Sequence, residues 1–172
     1  MKLRTWIMIS LALCVAAGTA YAATAIADLK GTTPGSRLKG QLKFVDEKTG
    51  VVVVGEVWNA PPGKHGIHIH EKKSCADNGM AAGGHLNPSG NEHGFAPTGM
   101  PLHAHPGDMG NIEVDVDGHG TLKLHMPELG LATKSRYDIR GLAVVMHEKE
   151  DDFSQPKGNS GECIACGLIE QR

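Results

Sequence analysis

An all-β domain of seven or eight antiparallel strands, closed as a sandwich or Greek-key barrel, is the fold class that this 172-residue sequence predicts. Three observations carry it. Several segments alternate apolar and polar residues with period two, and no stretch keeps a 3.6-residue apolar period. The 23 Gly and 9 Pro supply the turns that short strands need. The length suits one domain. A formal net charge of −2 and an aromatic content of 4% exclude a nucleic-acid binder, which needs a basic stripe or a stacking platform. Ten His in so small a chain make metal the first functional question.

Taken in order, residues 1–22 read as a secretory signal peptide. Lys2 and Arg4 precede an apolar run over 6–17, and Ala20-Tyr21-Ala22 forms a small-x-small cleavage site. The run is too short for a membrane span, so no membrane anchor is expected. Leu13 before Cys14 departs from a lipoprotein signal. Cleavage leaves residues 23–172 and, with Lys2 and Arg4 gone, a net charge of −4. The mature chain is then expected in an exported, disulfide-permitting space. Within it, residues 38–44 alternate Leu38, Gly40, Leu42 and Phe44 with Lys39, Gln41 and Lys43, and 51–54 continue after a turn. Residues 112–116 and 122–126 alternate on either side of Asp117-Gly118-His119-Gly120, which predicts a hairpin. Residues 142–146 and 164–169 add two apolar runs. Residues 72–109 and 150–162 show no alternation and read as a long and a short loop.

The histidines cluster around these features. His68 and His70 are two apart on a predicted strand, which sends both imidazoles to one face and Ile67 and Ile69 to the other. Taken alone, the pair also fits the polar face of an edge strand. His65 has the opposite parity and reads as a structural histidine. The long loop carries His85, His93, His105 and Asp108, and three imidazoles with one carboxylate suit tetrahedral zinc. His147 follows a buried run, and His68, His70 and His147 could meet at a second metal, where all-imidazole ligation suits copper. His119 and His125 read as surface residues. His103, Met80, Met100 and Met109 read as loop residues, with copper(I) capture as the alternative.

These stretches resemble the copper–zinc superoxide dismutase family in its bacterial periplasmic form. The similarity runs through Gly66-Ile67-His68-Ile69-His70-Glu71, Cys75, Ala82-Gly83-Gly84-His85-Leu86-Asn87-Pro88 and His93-Gly94. It continues through His105-Pro106-Gly107-Asp108, His147-Glu148 with Asp151, and Ala165-Cys166-Gly167. The resemblance implies an eight-stranded Greek-key barrel with a long metal-binding loop and a shorter electrostatic loop. It implies one copper on His68, His70, His85 and His147, and one zinc on His85, His93, His105 and Asp108. His85 would bridge the two metals and act in proton transfer. Asp151 would link a copper ligand to a zinc ligand. Cys75 and Cys166 would form a disulfide.

The implied reaction is dismutation of superoxide to oxygen and hydrogen peroxide. The implied location is the periplasm, with full secretion as the alternative. A homodimer and a copper donor or acceptor protein are left open as partners. One position departs from the family pattern: Cys163 stands where the active-site Arg is expected. Lys72, Lys73, Lys149 and Lys157 are the cations that could compensate. Three Cys in the mature chain leave one thiol over, and with the implied disulfide that thiol is Cys163. Cys163-Ile164-Ala165-Cys166 has redox-motif spacing but lies on a predicted strand, where that motif does not belong. The alternative to an enzyme is a dismutase-like copper-binding or copper-delivery protein with Cys163 as a transfer ligand.

Overall fold

The computed structural model describes residues 22–98, 104–132 and 135–172. Residues 1–21 of the predicted signal segment, Met100 and His103 lie outside these residues. The described residues form ten strands: β1 (Thr24–Gly31), β2 (Lys39–Glu47), β3 (Gly50–Trp58), β4 (Gly63–Ile69), β5 (Asp108–Val114), β6 (Gly120–Met126), β7 (Leu129–Gly130), β8 (Tyr137–Asp138), β9 (Ala143–His147) and β10 (Cys163–Gln171). Eight of them close a barrel in the order β1-β10-β9-β4-β5-β6-β3-β2, and β7 and β8 form a small parallel pair. Every barrel pairing is antiparallel. The consecutive strands β4, β5 and β6 lie side by side with β3 returned beside β6, which is a Greek key. The expected eight-stranded barrel is therefore present. No helix among the described residues is long and apolar enough to cross a membrane.

Alternation sets the inside of the barrel. Along β2, Gly40, Leu42 and Phe44 are buried while Lys39, Gln41 and Lys43 are exposed. Leu29, Leu42, Phe44, Ile67, Ile69, Met109, Ile112, Met126 and Ile169 fill the interior. Each such side chain contributes about 1.5–3 kcal/mol by leaving water. The predicted hairpin forms between β5 and β6, with Glu113 opposite Thr121. β5 stops at Val114, however, and Val116 is 88% exposed in the turn. Two further differences matter. β1 pairs with both β2 and β10, although only its neighbours were legible as strands. Asp108 and Met109 belong to β5 and not to the loop, and Met109 is fully buried in the core.

The barrel leaves two long connections, β4 to β5 and β9 to β10, on adjoining strands. The first is laced to the strand ends: Leu86 N–H donates to Ile69 O at 2.8 Å, Ile69 N–H to Gly107 O at 2.9 Å, and Gly107 N–H to Leu86 O at 3.1 Å. Cys75 and Cys166 are bonded, S–S 2.05 Å, tying this connection to β10 across 91 residues. The histidines and carboxylates of both candidate metal groups gather where the two connections meet.

Candidate metal centre

His68 lies on β4 just past an irregularity in its pairing with β5, and Val145 of β9 faces it. Ile67 and Ile69 point into the core, so His68 and His70 point the other way, as alternation requires. His70 lies one residue beyond β4 and is held by its N–H to Ala143 O at 2.8 Å. It bridges to His85, which returns on the long connection. His147 ends β9. One ring nitrogen from each of His68, His70, His85 and His147 comes within 4.8 Å of the others, and all four residues are buried.

A second group forms alongside. His85, His93, His105 and Asp108 also bring one atom each within 4.8 Å, so His85 belongs to both groups. Three Nδ1 atoms gather on the Asp108 carboxylate: His93 at 2.7 Å, His85 at 2.8 Å and His105 at 3.1 Å. The backbone N–H groups of Gly94 and His105 donate to Asp108 Oδ2 at 3.0 and 3.1 Å.

The other nitrogens of these rings are tied down. His68 Nε2 donates to Asp151 Oδ2 at 2.8 Å, and His93 Nε2 to Asp151 Oδ1 at 2.8 Å. His70 Nδ1 donates to Gly83 O at 2.9 Å and His147 Nδ1 to Gly161 O at 3.2 Å. This selects the tautomers in which His68 Nδ1, His70 Nε2 and His147 Nε2 carry lone pairs. Those three atoms, with His93 Nδ1, are buried and have no hydrogen-bond partner. His93 Nδ1 is 2.7 Å from Asp108 Oδ2 yet out of line for a hydrogen bond, as when two electron-pair donors face a common third point. An unsatisfied buried polar atom costs about 1–3 kcal/mol. Four of them in one cluster fit cations, and the donor sets separate into an all-imidazole group and a three-imidazole, one-carboxylate group. The first suits copper and the second zinc.

Protonation of the all-imidazole group agrees with that fit. Burial pushes His68 and His70 down to about 3 and His147 to about 4, which keeps them in the neutral form that binds metal. For Asp108, burial opposes the charge, but the hydrogen bonds of His105 and His85 and the close approach of His93 outweigh it and hold the carboxyl well below its usual range. Asp151 follows the same pattern through His68 and His93. Burial also opposes a charge on His93, yet Asp108 and Asp151 carry it up to about 9.

Three positioning residues gave no signal in the sequence. Asn111 of β5 accepts from Asp151 N–H at 2.7 Å and donates to Asp151 O at 2.9 Å, fixing that residue from a strand 40 positions away. Gln155 clamps the His93 backbone in the same reciprocal way, at 2.9 and 3.0 Å. Gly158, at φ +74°, lets the short connection pass over Asp151, because a Cβ there would overlap Asp151 Oδ1. Their partners are 40 or more residues distant or set by the fold, so no local pattern announces them.

The remaining residues of interest separate cleanly. His65 is buried, with ring nitrogens 2.9 Å from His147 O and 2.8 Å from Pro61 O, as expected of a structural histidine. His119 and His125 are at the surface, on Glu56 and Thr49. Cys163 is the free cysteine among the described residues, and it is partly buried. An open cavity of about 430 Å³ reaches His70, His85 and His147, with Cys163, Met80, Glu162 and Lys157 also in its wall. Lys72, Lys73 and Lys149 are not themselves in its wall, although Lys72 and Lys149 pack against Gly83 and Gly161, which are.

Comparison with known proteins adds to this geometry. Residues 38–169 match the family described as copper/zinc superoxide dismutase (SODC). The chain is 35% identical to an extracellular Cu-Zn superoxide dismutase of Caenorhabditis elegans, across 98% of this chain and 78% of that one. It is 32% identical to a Cu-Zn superoxide dismutase of Legionella pneumophila, across 76% and 77% of the two chains. The crystal structure of the clock protein EA4 superimposes with a TM-score of 0.75 at 32% identity, covering 89% of this chain and 97% of that one.

Proposed function

The chain belongs to the copper/zinc superoxide dismutase family, and on that premise we propose that it dismutes superoxide at a copper site of His68, His70, His85 and His147 beside a zinc site of His85, His93, His105 and Asp108. The observation that carries this reading is the pair of buried donor groups that share His85. When bound, copper supplies the one-electron step in both directions and zinc supplies a fixed positive charge. His68, His70 and His147 present their lone pairs because Asp151, Gly83 and Gly161 hold the opposite nitrogens. His85 turns Nδ1 to Asp108 and keeps Nε2 for the copper side, where it holds and then releases one of the two protons that peroxide requires. The open cavity brings the second proton from water. Asp151 joins the two groups mechanically, since one carboxylate orients a ring in each.

Substrate guidance is weakened in this chain. Cys163 occupies the position expected for Arg, and the cavity wall carries Lys157 and Glu162, whose charges cancel. A unit charge about 6 Å from an anion is worth roughly 0.7–3 kcal/mol for effective dielectrics of about 80 to 20, so its loss slows the reaction about threefold to a hundredfold. We further infer export to the periplasm after removal of residues 1–22. The test is superoxide decay by pulse radiolysis with the copper- and zinc-loaded chain. Copper-dependent decay that Cys163→Arg accelerates is the expected result. Decay no faster than free-copper controls at full metal occupancy overturns the enzyme reading in favour of copper handling. N-terminal sequencing of the protein from a periplasmic extract tests export, with Ala23 as the expected first residue.

A further inference from the structure

Cys163 opens β10 and faces His147, the last residue of β9, as its direct cross-strand partner. Directly opposite residues in an antiparallel pair project from the same face, so Cys163 and His147 leave the sheet on one side. The register shifts immediately afterwards, between Cys163 and Ala165, which releases this end of β10 from the regular ladder. The Cys163 sulfur lies against Gly79, where a Cβ would overlap it. Asn78 and Gly79 hold left-handed backbone, φ 53° and 88°, and this turn carries the next residue, Met80, out to 67% exposure.

Met80 and Cys163 therefore share one cavity wall with His70 and His147. His70 Nε2 and His147 Nε2, on side chains more than nine-tenths buried, have no hydrogen-bond partner there. Glu162 adds a negative charge to the same wall. A thioether and a thiol are soft donors that suit copper(I), and a neutral imidazole accepts it as well. The exposed thioether is a weak, flexible ligand, suited to catching an ion and letting it go.

We propose that Cys163, Met80 and His147 form an entry site for copper(I), which takes the ion at the cavity mouth and passes it to the imidazoles beneath. The inference rests on the copper site assigned above. On binding, the Cys163 S–H bond breaks, a sulfur–copper bond forms and the proton leaves to water, with no change of oxidation state at either atom. Onward transfer reverses these steps.

The test uses the metal-free chain and copper(I) supplied as its bicinchoninate complex. Uptake is followed by loss of the complex's colour, and the bound ion by X-ray absorption. Cys163→Ser and Met80→Leu are each expected to slow uptake about tenfold or more, the scale on which lost metal contacts register, while leaving the final occupancy at the wild-type value. In His68→Ala, which removes a deeper ligand and keeps the entry residues, bound copper(I) is expected to show copper–sulfur scattering. Met80→Leu changes an exposed side chain, so it tests the idea even where another variant folds poorly. Full wild-type occupancy with uptake insensitive to both sulfur replacements, or with no sulfur scattering in His68→Ala, overturns the entry site alone. No copper(I) uptake by the wild type overturns the entry site and the copper site together.

Discussion

Replacing Asp151 by Asn removes one oxygen acceptor from a carboxylate that serves two imidazoles. Asp151 Oδ2 accepts from His68 Nε2 at 2.8 Å and Oδ1 from His93 Nε2 at 2.8 Å, with Phe153 N–H also on Oδ1 at 2.9 Å. Both side chains and the carboxylate are fully buried. An amide has one oxygen and one NH2, so one Nε2–H loses its acceptor and meets a donor. Either that ring turns, or it changes tautomer and surrenders the lone pair it holds for a metal. A charge-assisted hydrogen bond of this kind is worth about 1.5–3 kcal/mol, and partners of ligating histidines alter metal affinity about 10- to 100-fold. The two figures agree, since about 1.4 kcal/mol is a factor of ten. The assay is chelator competition for zinc and for copper(II) at neutral pH, with Asp152→Asn as the control because Asp152 is exposed and its carboxylate accepts from Ser154 N–H and Asn159 rather than from an imidazole. Affinities within about threefold of wild type for both metals, against the expected 10-fold loss or more, refute the bridging role of Asp151. An equal loss in Asp152→Asn refutes it too.

Three more expectations follow from the same geometry. In the metal-free chain, His68, His70 and His147 titrate near 6.5 when unfolded but only near 3–4 when folded, so the unfolded state binds more protons between those values. Stability is then lost as pH falls below 6.5, with a slope approaching about 4 kcal/mol per pH unit for three groups. His93 works the other way: raised to about 9, its contribution is complete below 6.5 and lost as pH rises through 9. Thermal melting should therefore peak near neutrality, and a metal-free melting temperature that holds steady from pH 7 to pH 5 contradicts the burial argument. Replacing Cys75 and Cys166 together by Ser reopens a loop of 91 residues, worth about 4–5 kcal/mol in the chain-entropy account; urea unfolding reads the loss, and one below about 1 kcal/mol counts against it. Gly158→Ala should weaken retention of both metals by displacing Asp151, whereas Gly35→Ala, with the same sign of φ and nothing within 4 Å, should cost about 1 kcal/mol of stability and leave metal binding alone.

Much of the site was legible because its chemistry is local. Alternation placed His68 and His70 on one face and Ile67 and Ile69 on the other, and the fold keeps that division. The long connection's imidazoles and carboxylate announced a metal through composition alone, since a loop with no apolar period needs another reason to be ordered. The hairpin of β5 and β6 was visible as well, although Val116 shows that alternation does not reveal where pairing stops. Met109, grouped with the loop, lies in the core because β5 begins one residue before it.

What the sequence by itself determined is therefore the period-two strands, the turns between them and the inventory of metal donors, all properties of short windows. Only the tertiary structure decided the barrel order and the clamping of Asp151 by Asn111 and of His93 by Gln155, and it brings together at His85 the two donor groups whose sharing the family resemblance alone had implied. It also decided that Lys157 and Met80 line the cavity, while Lys72 and Lys149 pack behind its wall and Lys73 lies against Gly141. The physical reason is distance along the chain. These contacts join residues tens of positions apart, and they form only when burial of the whole barrel wall offsets the entropy of closing such loops.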